Sequence, residues 1–200
     1  MTLEQVYILN SAIDGKDVYS LPSISGLDMP GVSVAKHKDS LIKEGLLETH
    51  SSFTDEGVKV VKDIRDYKGA KKYITILGMA IGIVDDKKSV ALKYSGDGYS
   101  FTPVDTKDVV GQVFDVYRFL SLDSAEMAEG IPFEFGEVIQ KYRPGRENSF
   151  SIKTEGDAGV THEVFFSDGK GIFVYDFIEK LLRQKSSEGV KKLLSERMVA

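Results

Sequence analysis

The sequence predicts an α+β protein made of two related halves, each an antiparallel sheet with flanking helices on one face. The apolar spacing is helical in the first third of the chain and becomes strand-like from Lys71 onward. Short turns containing glycine join the predicted strands into hairpins. A hairpin followed by an amphipathic helix occurs at 91–120 and again at 162–194. This duplication predicts that the two halves share one core across a pseudo-twofold relation.

Length and composition set the limits of the interpretation. The 200 residues fit one domain, 1–200, which the repeat divides into an N-terminal half, 1–120, and a C-terminal half, 121–200. The net charge of −5 argues against a broad phosphate-binding surface, and the absence of cysteine excludes disulfides and thiol chemistry. The first residues carry no basic segment and the longest apolar run is short, so we expect neither a signal peptide nor a membrane span.

Capping residues and apolar spacing predict three helices before the first sheet. Thr2 caps a helix over 3–13, and an irregular connection over 16–31 follows. Gly45 ends the second helix and Thr54 caps the third. The predicted inner face of the third helix consists of Val58, Val61 and Ile64.

Strand signals fill the rest of the first half. The run from 73 to 84 is rich in β-branched residues and predicts a continuous strand. Turns at 85–88 and at 96–98 come next, and Pro103 fits a strand end or an edge strand. Asp105 or Thr106 then caps an amphipathic helix.

The second half has the same kinds of element. A helix is predicted over 133–142, and Phe150 and Ile152 indicate a strand. The segment 162–176 predicts a hairpin, after which Asp176 is expected to cap a long helix.

The residues show no reacting constellation. The three histidines, His37, His50 and His162, lack the spacing of a helical metal site, and the paired glycines lie in hairpins rather than before helices. No nucleophile motif occurs. We therefore expect no enzyme activity, no catalytic residue, no metal and no cofactor.

An acidic stretch at 123–137 contains four glutamates and no basic residue among them. It predicts either a solvated face or an acidic docking surface. The glutamates are Glu126, Glu129, Glu134 and Glu137.

The segment 33–68 permits an alternative interpretation. Two helices around the phrase FTDEG resemble the recognition half of a winged-helix transcriptional regulator, which would place DNA contacts within 33–68. Its seven basic residues are balanced by seven acids, and the first helix has no arginine. This balance disfavours nucleic acid as the partner, because little counterion would be released on binding.

The order of elements carries a second resemblance. The phrases LIKEGLL and FTDEG come first, YITI and VALKYSGDGYSFTPV follow, and a helix and a similar second half complete the chain. This layout resembles the EspG family of type VII (ESX) secretion chaperones, including the EspG-like proteins of Gram-positive secretion loci.

The resemblance implies a cytoplasmic, non-enzymatic adaptor that binds helical-hairpin secretion substrates of the WxG, LxG or PE-PPE kind. Such substrates expose an apolar stripe that needs cover before export. The sequence does not determine which residues bind the substrate, and the tail from 190 to 199 is expected to be the most exposed part. Further candidate contacts are Ile178, Leu181, Leu182, Leu193 and Leu194.

Overall fold

A computed structural model describes residues 1–24, 31–127 and 129–199, so residues 25–30 of the predicted irregular connection lie outside the described part. The helices are α1 Leu3–Asn10, α2 Gly31–Lys43, α3 Asp55–Lys68, α4 Thr106–Val116, α5 Phe135–Tyr142 and α6 Ser187–Arg197. The strands are β1 Leu47–Thr49, β2 Ser52–Phe53, β3 Lys72–Ile76, β4 Met79–Asp85, β5 Lys88–Ser95, β6 Gly98–Val104, β7 Ile131–Pro132, β8 Ser149–Gly156, β9 Gly159–Ser167, β10 Ile172–Asp176 and β11 Leu181–Lys185.

Nine strands form one antiparallel sheet in the order β6-β5-β4-β3-β8-β9-β10-β11-β7, and β1 and β2 form a separate small hairpin. The two halves meet where β3 pairs with β8, with Thr75 opposite Lys153. One position further along this register, Ile76 comes opposite Ile152. A twofold axis there relates the unit α3-β3-β4-β5-β6-α4 to the unit α5-β8-β9-β10-β11-α6. The α+β class and the two related halves are confirmed, although their strands merge into one sheet.

Helices cover both faces of the sheet rather than one. We call the side that carries α4 and α6 the inner face, and the side that carries α1, α2, α3 and α5 the outer face. The inner core is continuous across both halves and includes Ile74, Ile81, Val113, Ile152, Phe165, Val174, Val190 and Leu194. The outer face has two separate cores, one under α1–α3 with Tyr7, Ile64, Tyr67 and Phe101, and one under α5 with Val138, Phe166, Tyr175 and Leu182.

Local hydrogen bonds explain where most helices begin and end. The Thr2 hydroxyl accepts from the Gln5 backbone in a capping box, and the Thr54 hydroxyl accepts from Gly57. Asp105 caps α4. Gly45 adopts a φ of +74°, and the Leu46 amide donates back to α2, which is the usual glycine termination. These four capping predictions are confirmed.

Two element predictions are wrong. The apolar run from 73 to 84 is two strands, because Leu77 and Gly78 both adopt positive φ and form a tight hairpin turn. Asp176 does not cap a helix: its carboxylate accepts from the amides of Ile178 and Glu179 and closes a turn into β11. The last helix starts at Ser187 instead. The true repeat therefore matches the β5–β6 hairpin with the β10–β11 hairpin.

The inner face of α3 also differs from the prediction. Val58 is exposed, whereas Ile64 and Tyr67 are fully buried against β4, β5 and β6. Gly82 of β4 lies directly under the end of this helix. The helix therefore packs on the sheet through its second half, where the missing side chain of Gly82 leaves room for the backbone at Tyr67.

Gly82→Ala is expected to destabilise the fold. A Cβ there would lie 2.9 Å from the Ala70 Cβ and 3.1 Å from the Tyr67 carbonyl oxygen, so α3 must shift. We expect a loss of about 1–3 kcal/mol in unfolding free energy, measured by urea denaturation. Gly111→Ala in α4 is the matched control, because a Cβ there meets nothing within 4 Å. That control should gain about 0.5–1 kcal/mol, and an equal effect of both changes would contradict the packing described for α3.

An ion pair attaches the end of α6 to the sheet. The Arg197 guanidinium donates to both carboxylate oxygens of Glu163, at 3.0 and 2.6 Å, and Glu163 is only 3% exposed. Arg197→Met should cost about 3–5 kcal/mol in unfolding free energy, because it leaves a buried carboxylate without its partner. The double variant Arg197→Met with Glu163→Leu should recover most of that loss. Equal stability of the single and double variants would show that the pair is not what holds α6.

Candidate partner-binding surface

The strand at the join of the two halves is buried on one side only. In β8, Phe150, Ile152 and Thr154 point to the inner core and are buried, whereas Ser151 and Lys153 point outward and are exposed. The alternation arises because successive strand residues face opposite sides of a sheet. Neither α3 nor α5 covers the outward side of β8.

The outward residues of three neighbouring strands, some exposed and some half-buried, form a continuous surface that we call the outer strip. Strands in a sheet are about 4.8 Å apart, so three of them span about 10 Å, which is close to the diameter of a helix. The outer strip consists of Thr75, Ser151, Lys153, Glu155, Val160, His162 and Val164.

An aromatic stack borders the outer strip on the side of the first half. The rings of Tyr19 and Tyr73 lie 4.0 Å apart and nearly parallel. The Tyr19 hydroxyl donates to Glu155, which also accepts from Lys153 at 3.0 Å. The hydrogen bonds from Lys153 and Tyr19 lower the pKa of Glu155. The carboxylate is therefore ionised at neutral pH and holds this border in place.

The border on the side of the second half is apolar. The His162 ring stacks on Phe177 with centroids 4.4 Å apart. Val160 of β9 is 46% exposed, so its side chain remains accessible to solvent. The outer strip thus has a polar floor, one tyrosine border and one apolar border.

The three histidines are not brought together. His37 lies on α2, His50 in the turn between β1 and β2, and His162 in the outer strip. The His50 Nε2 pairs with Asp39 at 2.7 Å. Within the residues that the structure describes, no group of three or more His, Asp or Glu side chains is arranged to hold a metal ion.

Two of the four glutamates of the acidic stretch pair with the protein's own cations. Glu126 accepts from Lys185 at 2.8 Å and from the Ser186 hydroxyl at 2.7 Å. Glu134 accepts from Lys180 at 2.9 Å. These contacts attach the stretch to the second half of the sheet, where it covers the outer edge of β11.

The candidate contacts near the carboxyl terminus are mostly internal. Leu182 lies in β11 and Leu194 in α6, and both are buried in the hydrophobic cores. The expectation of an exposed tail is wrong, because Val190 and Met198 also pack in the inner core. Of the five candidate side chains, only Ile178 is exposed, at 62%, and it lies in a turn rather than on a helix.

The segment 33–68 forms α2, the β1–β2 hairpin and α3. Several of its charges are used in local contacts: Lys38 donates to the His50 carbonyl oxygen, and Lys59 pairs with Glu56. Lys68 pairs with Asp14 of the loop after α1. Lys38 thus joins α2 to the β1–β2 hairpin, and Lys68 joins α3 to the loop after α1.

Comparison with known families adds one match. Residues 1–134 match the family described as Domain of unknown function (DUF5081). The chain belongs to this family. The part that matches DUF5081 contains the whole first repeat and continues through β7, one residue short of α5. No curated protein matches the chain.

The outer strip of this DUF5081 protein could be found only in part from the sequence. The alternation of Phe150 and Ile152 with Ser151 and Lys153 does indicate a strand with one wet face. The sequence does not show that this strand lies in the middle of the sheet. Among the described helices, none is long and apolar enough to cross a membrane.

The folded protein should lose stability on acidification in part through His162. Burial lowers the pKa of His162, Lys153 across the β8–β9 pair lowers it further, and Glu163 and Asp176 oppose both effects. The neutral ring is therefore favoured in the folded state. This contribution is present above the unfolded pKa of about 6.5 and is lost as the pH falls through and below it.

The measurement compares urea midpoints at about pH 8 and about pH 5.5 for the wild type and His162→Gln. We expect the drop in midpoint on acidification to be smaller in the variant. A drop of the same size in both proteins would contradict the role assigned to this ring.

Proposed function

We propose that this protein is a non-enzymatic cytoplasmic adaptor that binds helical-hairpin substrates of a type VII secretion system, of the WxG, LxG or PE-PPE kind. The observation that supports the proposal most directly is the outer strip, which leaves the middle of the sheet uncovered over about the width of one helix. The resemblance of the element order to the EspG family supports the same class of partner.

The borders of the outer strip suit an amphipathic helix. Val160 on one side offers exposed apolar surface, and the stacked Tyr19 ring lines the other. A helix lying between them would cover its apolar stripe, and each apolar side chain that becomes fully buried contributes about 1.5–3 kcal/mol. This is the helix-in-groove mode of recognition.

The polar floor contributes selectivity rather than affinity. Lys153 and Glu155 already pair with each other, so the floor carries no net charge from these two groups. A partner helix with an acid and a base beside its apolar stripe would match them, whereas a strongly charged partner of either sign would not. The floor therefore favours a protein helix over a polyanion.

The proposal is tested by co-expressing the protein with each helical-hairpin protein encoded beside its gene. We expect one of them to form a stable complex in size-exclusion chromatography, with a dissociation constant measurable by calorimetry. Val160→Lys should weaken that complex at least about tenfold, which corresponds to about 1.4 kcal/mol, because it places a solvated cation on the apolar border.

Val116→Lys is the matched control. Val116 is 60% exposed and lies at the end of α4, away from the outer face, where a cation near the helix carboxyl terminus is well tolerated. Its affinity should match the wild type within about twofold. If no neighbour binds at micromolar concentration, or if both lysine variants bind equally, the proposal is lost.

A further inference from the structure

The two edges of the large sheet are covered to different extents by the rest of the chain. At one end, β7 pairs with β11 and closes its outer side. At the other end, β6 is the last strand of the sheet. Met1 and Tyr99 exchange backbone hydrogen bonds of 2.7 and 3.1 Å at the edge of β6 that faces away from β5. That pairing covers only the start of the strand.

The groups left open on β6 follow from strand geometry. In an antiparallel ladder, alternate residues direct both backbone groups to the same neighbour. The backbone N–H and carbonyl of Tyr99 point away from β5, to Met1. The backbone groups of Phe101 and Pro103 therefore also point away from β5. Pro103 has no N–H, so the free groups are the Phe101 N–H and the carbonyl oxygens of both residues. No other described backbone or side-chain group bonds to them.

The twofold relation shows how the same groups are used in the second half. Counting back from the helix caps Asp105 and Ser186 equates Tyr99 with Lys180, Phe101 with Leu182, and Pro103 with Gln184. In β11 all three positions have a partner: the Lys180 carbonyl accepts from Phe133, Leu182 pairs with Ile131, and the Gln184 carbonyl accepts from Met127. In β6 only the first of the three positions does.

A cavity of about 750 Å³ adjoins the open end of β6. Val110 of α4 and Met198, which directly follows α6, form its floor, and lysines and aspartates of the β4–β5 turn and the start of α4 form its rim. Its lining includes Ser89, Pro103, Val104, Asp105, Val110 and Met198.

The corresponding space in the second half is filled by residues 124–127. The Ser124 hydroxyl accepts from the Ile172 amide, and Glu126 contacts Lys185 and Ser186. The positions touched by this segment match lining positions of the cavity: Ile172 with Ser89, Gln184 with Pro103, Lys185 with Val104, and Ser186 with Asp105. The chain segment at the equivalent place in the first half forms the β1–β2 hairpin instead.

We propose that the edge of β6 that faces away from β5, together with the adjoining cavity, binds an extended segment of a partner protein. The segment pairs antiparallel with Phe101 and Pro103, as β7 and Met127 pair with β11, and places an apolar side chain on the floor near Val110 and Met198. This site is distinct from the outer strip. It recognises an extended backbone rather than a helix.

A second copy of this chain is a poorer occupant. Because Met1 covers Tyr99, the open edge spans only from Phe101 to Pro103, which is too short for two copies of β6 to pair along their length. Such pairing would also leave the cavity unfilled. A partner segment that continues past Pro103 uses both features.

Disulfide trapping tests the register. The chain has no cysteine, so Thr102→Cys introduces a unique thiol at an exposed edge position. The probe is a synthetic peptide of residues 124–134 carrying Gly130→Cys, because the β7–β11 register puts residue 130 opposite Arg183, the equivalent of Thr102. In a thiol-exchange buffer, we expect Thr102→Cys to form at least about fivefold more peptide adduct than Ser151→Cys forms. The Ser151 control position is also exposed, but it lies on β8, which has a strand on both sides.

Amide hydrogen exchange provides the second measurement. The Phe101 amide should exchange quickly in the free full-length protein and become protected at least about tenfold in the adduct, while the Thr102 amide, bonded to β5, is protected in the free protein. Equal trapping of Thr102→Cys and Ser151→Cys, a Phe101 amide already protected in the free protein, or a Thr102→Cys homodimer in preference to the peptide adduct would each overturn the proposal. Val160→Lys should leave trapping unchanged, so failure of the outer strip and failure of this edge are distinguishable.

Discussion

The pairing of β3 with β8 is the interaction on which the rest of the structure depends. It joins two four-stranded units into one sheet and aligns Ile76 and Ile152 at the twofold axis. Because alternate residues face opposite sides, a slip of one residue would put Ile74 and Ile152 on opposite faces of the sheet, whereas both now lie in the inner core. The register of this one pair therefore determines that both halves share a continuous core under α4 and α6.

The same pairing explains why the outer face is incomplete. On the inner face, α4 and α6 contact each other across the axis and close the core. On the outer face, α3 packs on β4, β5 and β6, and α5 packs on β9, β10 and β11, so each helix lies away from the axis. The outward side of β8 is left between them. The outer strip is thus a consequence of how far the outer helices lie from the join, and not of a loop or an insertion.

Local chemistry made part of this fold predictable. Caps at Thr2, Thr54 and Asp105, and the glycine at 45, act through hydrogen bonds within a few residues, so the sequence reveals them directly. The hairpin turn at Leu77 was missed because leucine rarely adopts a positive φ, and only the sheet around it holds it there.

The last strand was missed for a related reason. The segment from Phe177 to Lys185 has leucines at a spacing that fits a helix as well as a strand. Its turn contains Lys180 at a φ of +55°, with no glycine to mark it. Pairing with β10 decides the outcome, and that pairing is a contact between elements. The outer strip was hidden in the same way, since it depends on which strand lies in the middle and on what covers it.

The two edges of the sheet are covered to different extents for a physical reason. An unpaired edge strand is a site of uncontrolled association, and proteins shorten or cover such edges. Here β7 covers β11, whereas β6 is limited by Met1 at one end and by Pro103 at the other. Pro103 offers an acceptor but no donor, so a long flat strand cannot add there by regular two-way bonding. What remains open is too short to aggregate and is shaped, together with the adjoining cavity, for one matched segment. An edge that needed only protection could be covered along its length, as Met127 and β7 cover β11 in the second half.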